Sequence, residues 1–217
     1  MGDDEVDSVL IMNILAIECS TSHASLCVMG DNTYFYSWEA ARNHDEHLFP
    51  ALRAALAQGA PDVVLVGSGP GSYGGVRVAL AAATGIAVVS GATVVALCSW
   101  EHMAEGKVCI LSDAKRGGWT LRYPSGEIKV LNTEQIKQLQ REGTEIWSVE
   151  SEALLARAGI VVPRSGLVPT AEGLVTTWLS LSEQEQARRA ALPAEPIYVR
   201  PPHITTPKHK PWEIPNA

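Results

Sequence analysis

The sequence predicts an α/β chain built as two lobes, and three observations carry that expectation. Short continuous apolar runs, such as Val63-Val64-Leu65-Val66, alternate with helical patterns, as expected of parallel strands buried on both faces. The chain nevertheless opens on two or three strands in succession, which a simple dinucleotide-binding unit does not do. Its 217 residues, 46 % hydrophobic, are enough for one large domain or two small lobes with a sizeable core and no disulfide scaffold.

The opening strands come first in the chain. Residues 1–11 read as an acidic extension. Asn13-Ile14-Leu15-Ala16-Ile17-Glu18-Cys19-Ser20-Thr21 reads as a buried strand ending in a polar turn, 24–29 as a strand returning through a hairpin, and 33–39 as a third strand after the Asp31-Asn32 turn. A polar or acidic residue after a first strand, followed by a hairpin, is how an actin-like or sugar-kinase-like lobe begins. Residues 45–58 place Leu48, Leu52, Ala55 and Leu56 on one helical face, and Gly59 stops that helix. The strand 63–66 empties into a glycine-rich loop, 67–75, and 76–89 follows as a helix rich in Ala and Gly. The strand 93–97 completes a first lobe, 12–99.

The second, shortened lobe is expected over 100–200. Its strands are 108–111, 119–123, 126–131 and 145–149, and its helices start at Thr133 and span 150–158 and 170–180. Residues 201–217 carry five prolines and read as an extended tail. No internal repeat of fixed period is found.

Charge and cysteine usage narrow the function classes. Seventeen basic against 24 acidic residues leave a formal charge of −7, which disfavours a protein that grips nucleic acid alone and leaves room for a local basic patch. Cys19, Cys27, Cys98 and Cys109 have no Cys-x-x-Cys spacing and lie in apolar stretches, so buried reduced thiols are expected. The acidic start and the lack of an apolar run of membrane-spanning length predict a cytoplasmic chain with no membrane partner.

The glycine-rich loop is the sharpest local motif. Gly69, Pro70, Gly71, Ser72 and Gly75 follow a strand and precede a helix, so their N–H groups either surround an anion or form a structural turn that lets the helix dock. Gly-Lys-Ser/Thr is absent, so this is no P-loop. Arg77 either completes an anion site or ties down a neighbouring carboxylate near an interface. His44 and His47 share a helix face without a third metal ligand, and no Gly-x-Ser-x-Gly elbow is present. Glu18 and Asp113 end strands and either face one another across an interlobe cleft or serve as polar strand ends.

Five strings occur in the order and approximate spacing of the TsaB (YeaZ-like) family: Ile14–Thr21, His44–Pro50, Gly69–Arg77, Asp113–Gly117 and Pro196–Arg200. The resemblance spans about 12–200. It implies an actin-like ATPase (ASKHA, ribonuclease H-like) fold and a non-catalytic adaptor. Such an adaptor pairs with a TsaD-like catalytic subunit and a TsaE-like ATPase for N6-threonylcarbamoylation of the adenosine beside the anticodon, in tRNAs reading A-starting codons. It also implies no cofactor of the chain's own, with ATP and metal handled by the partners and tRNA met through the complex. His44 matches the family and His47 is not carried over as a ligand. Gly74 stands where Thr is usual, and Glu18-Cys19 where Asp-Thr is common.

The expected partner surface joins the two first-lobe helices: Leu48, Leu52 and Leu56 on one, Arg77, Ala79, Ala82 and Ala83 on the other, in a four-helix contact. In proteins of this type that surface serves either a homodimer or the heterodimer, so the two assemblies compete. The alternative is an independent actin-like ATPase or metallopeptidase-like enzyme, whose missing phosphate loop or metal ligand must then come together in space.

Overall fold

A computed structural model describes residues 12–40, 44–103 and 108–199. The extension 1–11, the tail 201–217 and Arg200 lie outside the described residues. The first sheet runs β3-β2-β1-β4-β5, with β1 (Ile14–Glu18), β2 (His23–Met29) and β3 (Tyr34–Glu39) antiparallel in turn, and β4 (Val63–Gly67) and β5 (Thr93–Leu97) parallel to β1. β1 and β4 are central and buried along their whole length, which explains their uninterrupted apolar sequence.

Alternation along those strands divides the core in two. Leu15, Ile17, Val64 and Val66 point to one face, where α1 (His44–Leu56) contributes Leu48, Ala51, Leu52 and Ala55 and α2 (Tyr73–Ser90) contributes Val76, Ala79, Leu80 and Ala83. Ile14, Ala16, Val63, Leu65, Val95 and Leu97 point to the other, where α5 (Ala171–Ser180) supplies Ala171, Leu174, Val175 and Trp178. The N-terminus of α5 is pinned to the sheet by Ala171 N–H donating to Ser25 Oγ at 2.9 Å.

The second sheet runs β8-β7-β6-β9, formed by β6 (Cys109–Asp113), β7 (Gly118–Arg122), β8 (Ile128–Asn132) and β9 (Ile146–Ser148). β6 pairs antiparallel with β7 and parallel with β9, and β7 antiparallel with β8, so the lobe repeats the order and directions of β3-β2-β1-β4. The two sheets thus share a topology that leaves no periodic sequence trace. α3 (Thr133–Arg141), with a full capping box from Asn132 and Gln135, and α4 (Glu152–Arg157) cover one face through Ile136 and Leu155. The other face packs Ile110 and Val108 on Trp100 and Met103, where the chain leaves the first lobe.

Three expectations are corrected. The second lobe is not one continuous stretch over 100–200, because α5 returns to bury its apolar face on the first sheet. A further helix, α6 (Glu183–Ala190), follows and contacts β5. It has no fully buried residue and is capped by Ser182, whose Oγ accepts from Glu185 N. Finally, α2, with 18 residues and mean hydropathy 1.4, is by length and composition apolar enough to cross a membrane, although one face lies on the sheet.

Candidate functional site

The glycine-rich loop closes on itself. Ser68 N–H and Oγ both donate to Leu97 O, at 2.8 and 2.9 Å, and Gly69 N–H donates to Ser99 Oγ at 3.0 Å while Ser99 N–H returns to Gly69 O at 2.9 Å. Gly69 has φ +89°, a conformation that favours glycine, and the Gly69–Pro70 peptide is cis. Ser72 N–H donates to Ser20 O at 2.6 Å, and Ser72 caps α2 by accepting from Gly75 N–H at 3.2 Å and Val76 N–H at 3.0 Å. A side chain at Gly71 would overlap the Ser20 carbonyl, so glycine is what lets the loop reach the β1–β2 turn. The N–H groups of Ser68, Gly69, Ser72, Gly75 and Val76 are engaged and Pro70 has none, so these bonds tie the loop to β5 and to the β1–β2 turn and dock the start of α2.

The loop forms one wall of a cleft between the lobes, of about 510 Å³. The other wall is the β6–β7 turn, Ser112 to Lys115, together with Glu150. Asp113 Oδ1 accepts from Lys115 N–H at 2.7 Å and Oδ2 from Lys115 Nζ at 2.9 Å, a contact that raises the lysine pKa. Glu150 Oε1 accepts from Ser112 Oγ and Asp113 N–H, both at 2.9 Å. In the first lobe the matching strand end, Glu18, accepts from Ser20 N–H at 2.7 Å, the same reach across two residues that Asp113 makes.

Glu18 and Asp113 do not face one another. Asp113 lines the cleft, whereas Glu18 is fully buried behind the loop, its carboxyl packed where a Gly67 side chain would sit and beside Ser99. Burial raises its pKa above the ordinary 4.5, against the opposing pull of hydrogen bonds from Ser20 and Ser99. Its Oε2 has no hydrogen-bond partner, which adds to the cost of holding charge there. Burial likewise pushes the Cys27 thiol up to about 11, and Cys19 and Cys109 are buried and unpaired.

Among the described residues no three of His, Cys, Asp or Glu come together as a metal site. His47 is exposed on α1, and the His44 side chain lies outside the described residues. Among the described residues Arg77 forms no ion pair with a carboxylate. Its Nη1 donates to Tyr73 Oη at 3.0 Å and its guanidinium lies 5.1 Å from the Tyr73 ring centre, so an aromatic ring takes the place expected of an acid.

The second candidate site is the outer surface of α1 and α2, a groove of about 1030 Å³ in which Arg53 is the one charged lining residue among those described. Four expected interface residues are corrected. Leu48, Ala79 and Ala83 are buried on the chain's own sheet, and Arg77 does not line the groove. Leu52, Leu56 and Ala82 do line it, Leu52 as its buried floor. The sequence reasoning missed Phe49, 54 % exposed, and Val89, 90 % exposed, with Val78 and Ile86 between them. The available signal was that α2 is apolar on every face, and a helix lying on one sheet buries only one of them.

Comparison with known proteins follows this geometry. The structure superposes on YeaZ from Pseudomonas aeruginosa with TM-score 0.65 and 22 % identity, over 87 % of this chain and all of that one. An uncharacterized Pseudomonas aeruginosa protein with similarity to peptidase YeaZ gives TM-score 0.67 at 22 % identity, over 88 % of this chain and all of that one. The family model for TsaD, described as tRNA N6-adenosine threonylcarbamoyltransferase, matches residues 38–141, from β3 through both groove helices and the cleft turn to the end of α3. An uncharacterized protein of Mycobacterium tuberculosis, Rv3421c, is 31 % identical over 120 residues, 50 % of this chain and 57 % of that protein; one from Mycobacterium bovis, Mb3455c, matches equally. The chain thus spans little more than half the length of these relatives. Sheet order and lobe arrangement define a two-lobed α/β protein with the fold of these structures. The stretch 38–141 is similar to the TsaD family model, and the chain as a whole shares the fold of the YeaZ structures.

Proposed function

We propose that this chain is a non-catalytic adaptor for N6-threonylcarbamoylation of tRNA, presenting the α1–α2 groove to a TsaD-like catalytic subunit. The observation that carries the reading is the groove itself: a largely apolar face on two adjacent helices that the chain's own core leaves uncovered. A contiguous exposed apolar patch of this kind marks an interaction surface, and it lies inside the stretch matched by the TsaD model. Phe49, Leu56, Ala82 and Val89 are its contact residues, with small side chains at Ala82 and Gly85 allowing close helix approach.

The same face supports a homodimer, so self-association competes with the heterodimer. The repeated lobe topology around one cleft fits an actin-like ATPase (ASKHA) ancestry, and ATP and metal are handled by the catalytic subunit and a TsaE-like ATPase. The work is cytoplasmic, where tRNA is met through the complex. The test is reconstitution: the purified chain alone yields no modified nucleoside, and product appears when the catalytic subunit, the ATPase and threonylcarbamoyl-adenylate are added. Product from the isolated chain overturns the adaptor reading.

A further inference from the structure

Arg77 points toward a second contact surface, on the cleft side of the molecule. Tyr73 opens α2 and Tyr198 lies on the segment 196–199, which is tied over the glycine-rich loop by Ile197 N–H donating to Ser68 O at 2.8 Å. The two rings lie 5.4 Å apart and tilted by 31°, and they remain 54 % and 51 % exposed. Arg77 lies over the Tyr73 ring and bonds its hydroxyl. The core does not explain this cluster, because half of each ring faces water while a guanidinium is held beside them.

Aromatic faces with an interleaved guanidinium are the standard means of holding an unpaired nucleotide: every base has a π-face to stack, and the cation meets the flanking phosphate. The surrounding charges agree. Lys115 and Arg116, both exposed, project from the β6–β7 turn on the opposite wall. Asp113 and Glu150 lie within the cleft, where they repel phosphate and favour the rim. A basic, aromatic rim is therefore set into a chain whose formal charge is −7.

We propose that Tyr73, Tyr198 and Arg77 form a stacking platform by which this chain holds an unpaired nucleotide of the RNA bound by the complex. The inference rests on the proposed adaptor function. The experiment is a salt series of tRNA affinity for the complex of the full chain with its catalytic subunit, comparing the parent with Tyr198→Ala, Tyr198→Phe and Arg77→Gln. Complex assembly is measured separately by calorimetry.

Tyr198→Ala is expected to weaken tRNA binding by roughly five- to hundred-fold, the range of one lost base stack, with the slope of log affinity against log salt unchanged. Tyr198→Phe retains parent affinity. Arg77→Gln weakens binding and makes that slope shallower by about 0.7, the loss of one single-strand phosphate contact. Assembly is equal in all four. Equal tRNA affinity of all variants in an assembled, active complex overturns the platform. So does loss of assembly in place of tRNA affinity, which would make the cluster a protein contact. If the parent complex neither assembles nor modifies tRNA, the adaptor reading fails instead. The same variants of the full chain, titrated with an unpaired oligoribonucleotide at low salt, then decide the platform, and equal affinities overturn it.

Discussion

Glu18 shows how a single residue can be recognised in sequence and left undecided. Its position near the end of β1 is legible, but the sequence leaves open whether it faces Asp113 across a cleft or is a polar strand end. What the sequence could not reveal is that Gly67 and Ser99, 49 and 81 residues later, close over it. The sign of its pH dependence follows from its raised pKa. The folded state keeps a proton that the unfolded chain releases above about 4.5, so the contribution of Glu18 is most favourable below that pH and is lost as pH rises toward the folded value. Glu18→Gln is therefore expected to match the parent in acid and to gain on it toward neutrality in chemical unfolding at several pH values; parallel profiles would contradict the raised pKa. Two glycines make a second residue-scale pair. Gly71→Ala meets the Ser20 carbonyl and should cost about 1–3 kcal/mol, whereas Gly74→Ala, in the first turn of α2 with open space around it, should gain up to about 1 kcal/mol. Thermal melts of the two variants shifting in the same direction would refute this account of the loop.

Helices were legible in proportion to their apolar periodicity. α1 and α2 stood out, but the sequence did not say which apolar positions of α2 meet the sheet and which stay open, because Ala79 and Ala83, which are buried, and Ala82, which lines the groove, are the same residue type. α6 was missed altogether, since its eight residues Glu183–Ala190 are polar on every side. It is held by charge: Arg189 forms a bidentate pair with Glu101, at 2.8 and 2.9 Å, and its Nε reaches Glu185 at 2.8 Å. The partner lies 88 residues away, a distance no periodicity records. Arg189→Met should cost about 1–3 kcal/mol in urea unfolding by leaving Glu101 unpaired, and an unchanged midpoint would show that α6 is held by packing alone. On the groove, Ala82→Arg should leave circular dichroism unchanged and weaken association with the catalytic subunit at least about tenfold, through overpacking and an unpaired charge at an apolar contact. Unchanged affinity there, and for charge substitutions at Phe49 and Val89, rejects the groove as the partner surface.

At the scale of the molecule, the two-lobed α/β plan was readable because its strands and punctuating glycines are strong local signals. The return of α5 to the first sheet was not, since the face of Leu174 and Trp178 announces burial without naming the sheet that buries it. The duplicated strand order escaped for a related reason: topology is fixed by pairing, and pairing tolerates unrelated side chains so long as alternation is kept. The resulting molecule separates two surfaces, an apolar helix face on one side of the first sheet and a polar cleft between the lobes. The adaptor account assigns partner binding to the first and leaves chemistry to another subunit. Nucleoside mass analysis of tRNA, after incubation with threonylcarbamoyl-adenylate and every combination of this chain, the catalytic subunit and the ATPase, tests that division most directly. The account predicts threonylcarbamoyladenosine only where this chain and the catalytic subunit are together, and its loss with Ala82→Arg; product from this chain alone, or full product without it, would contradict the account.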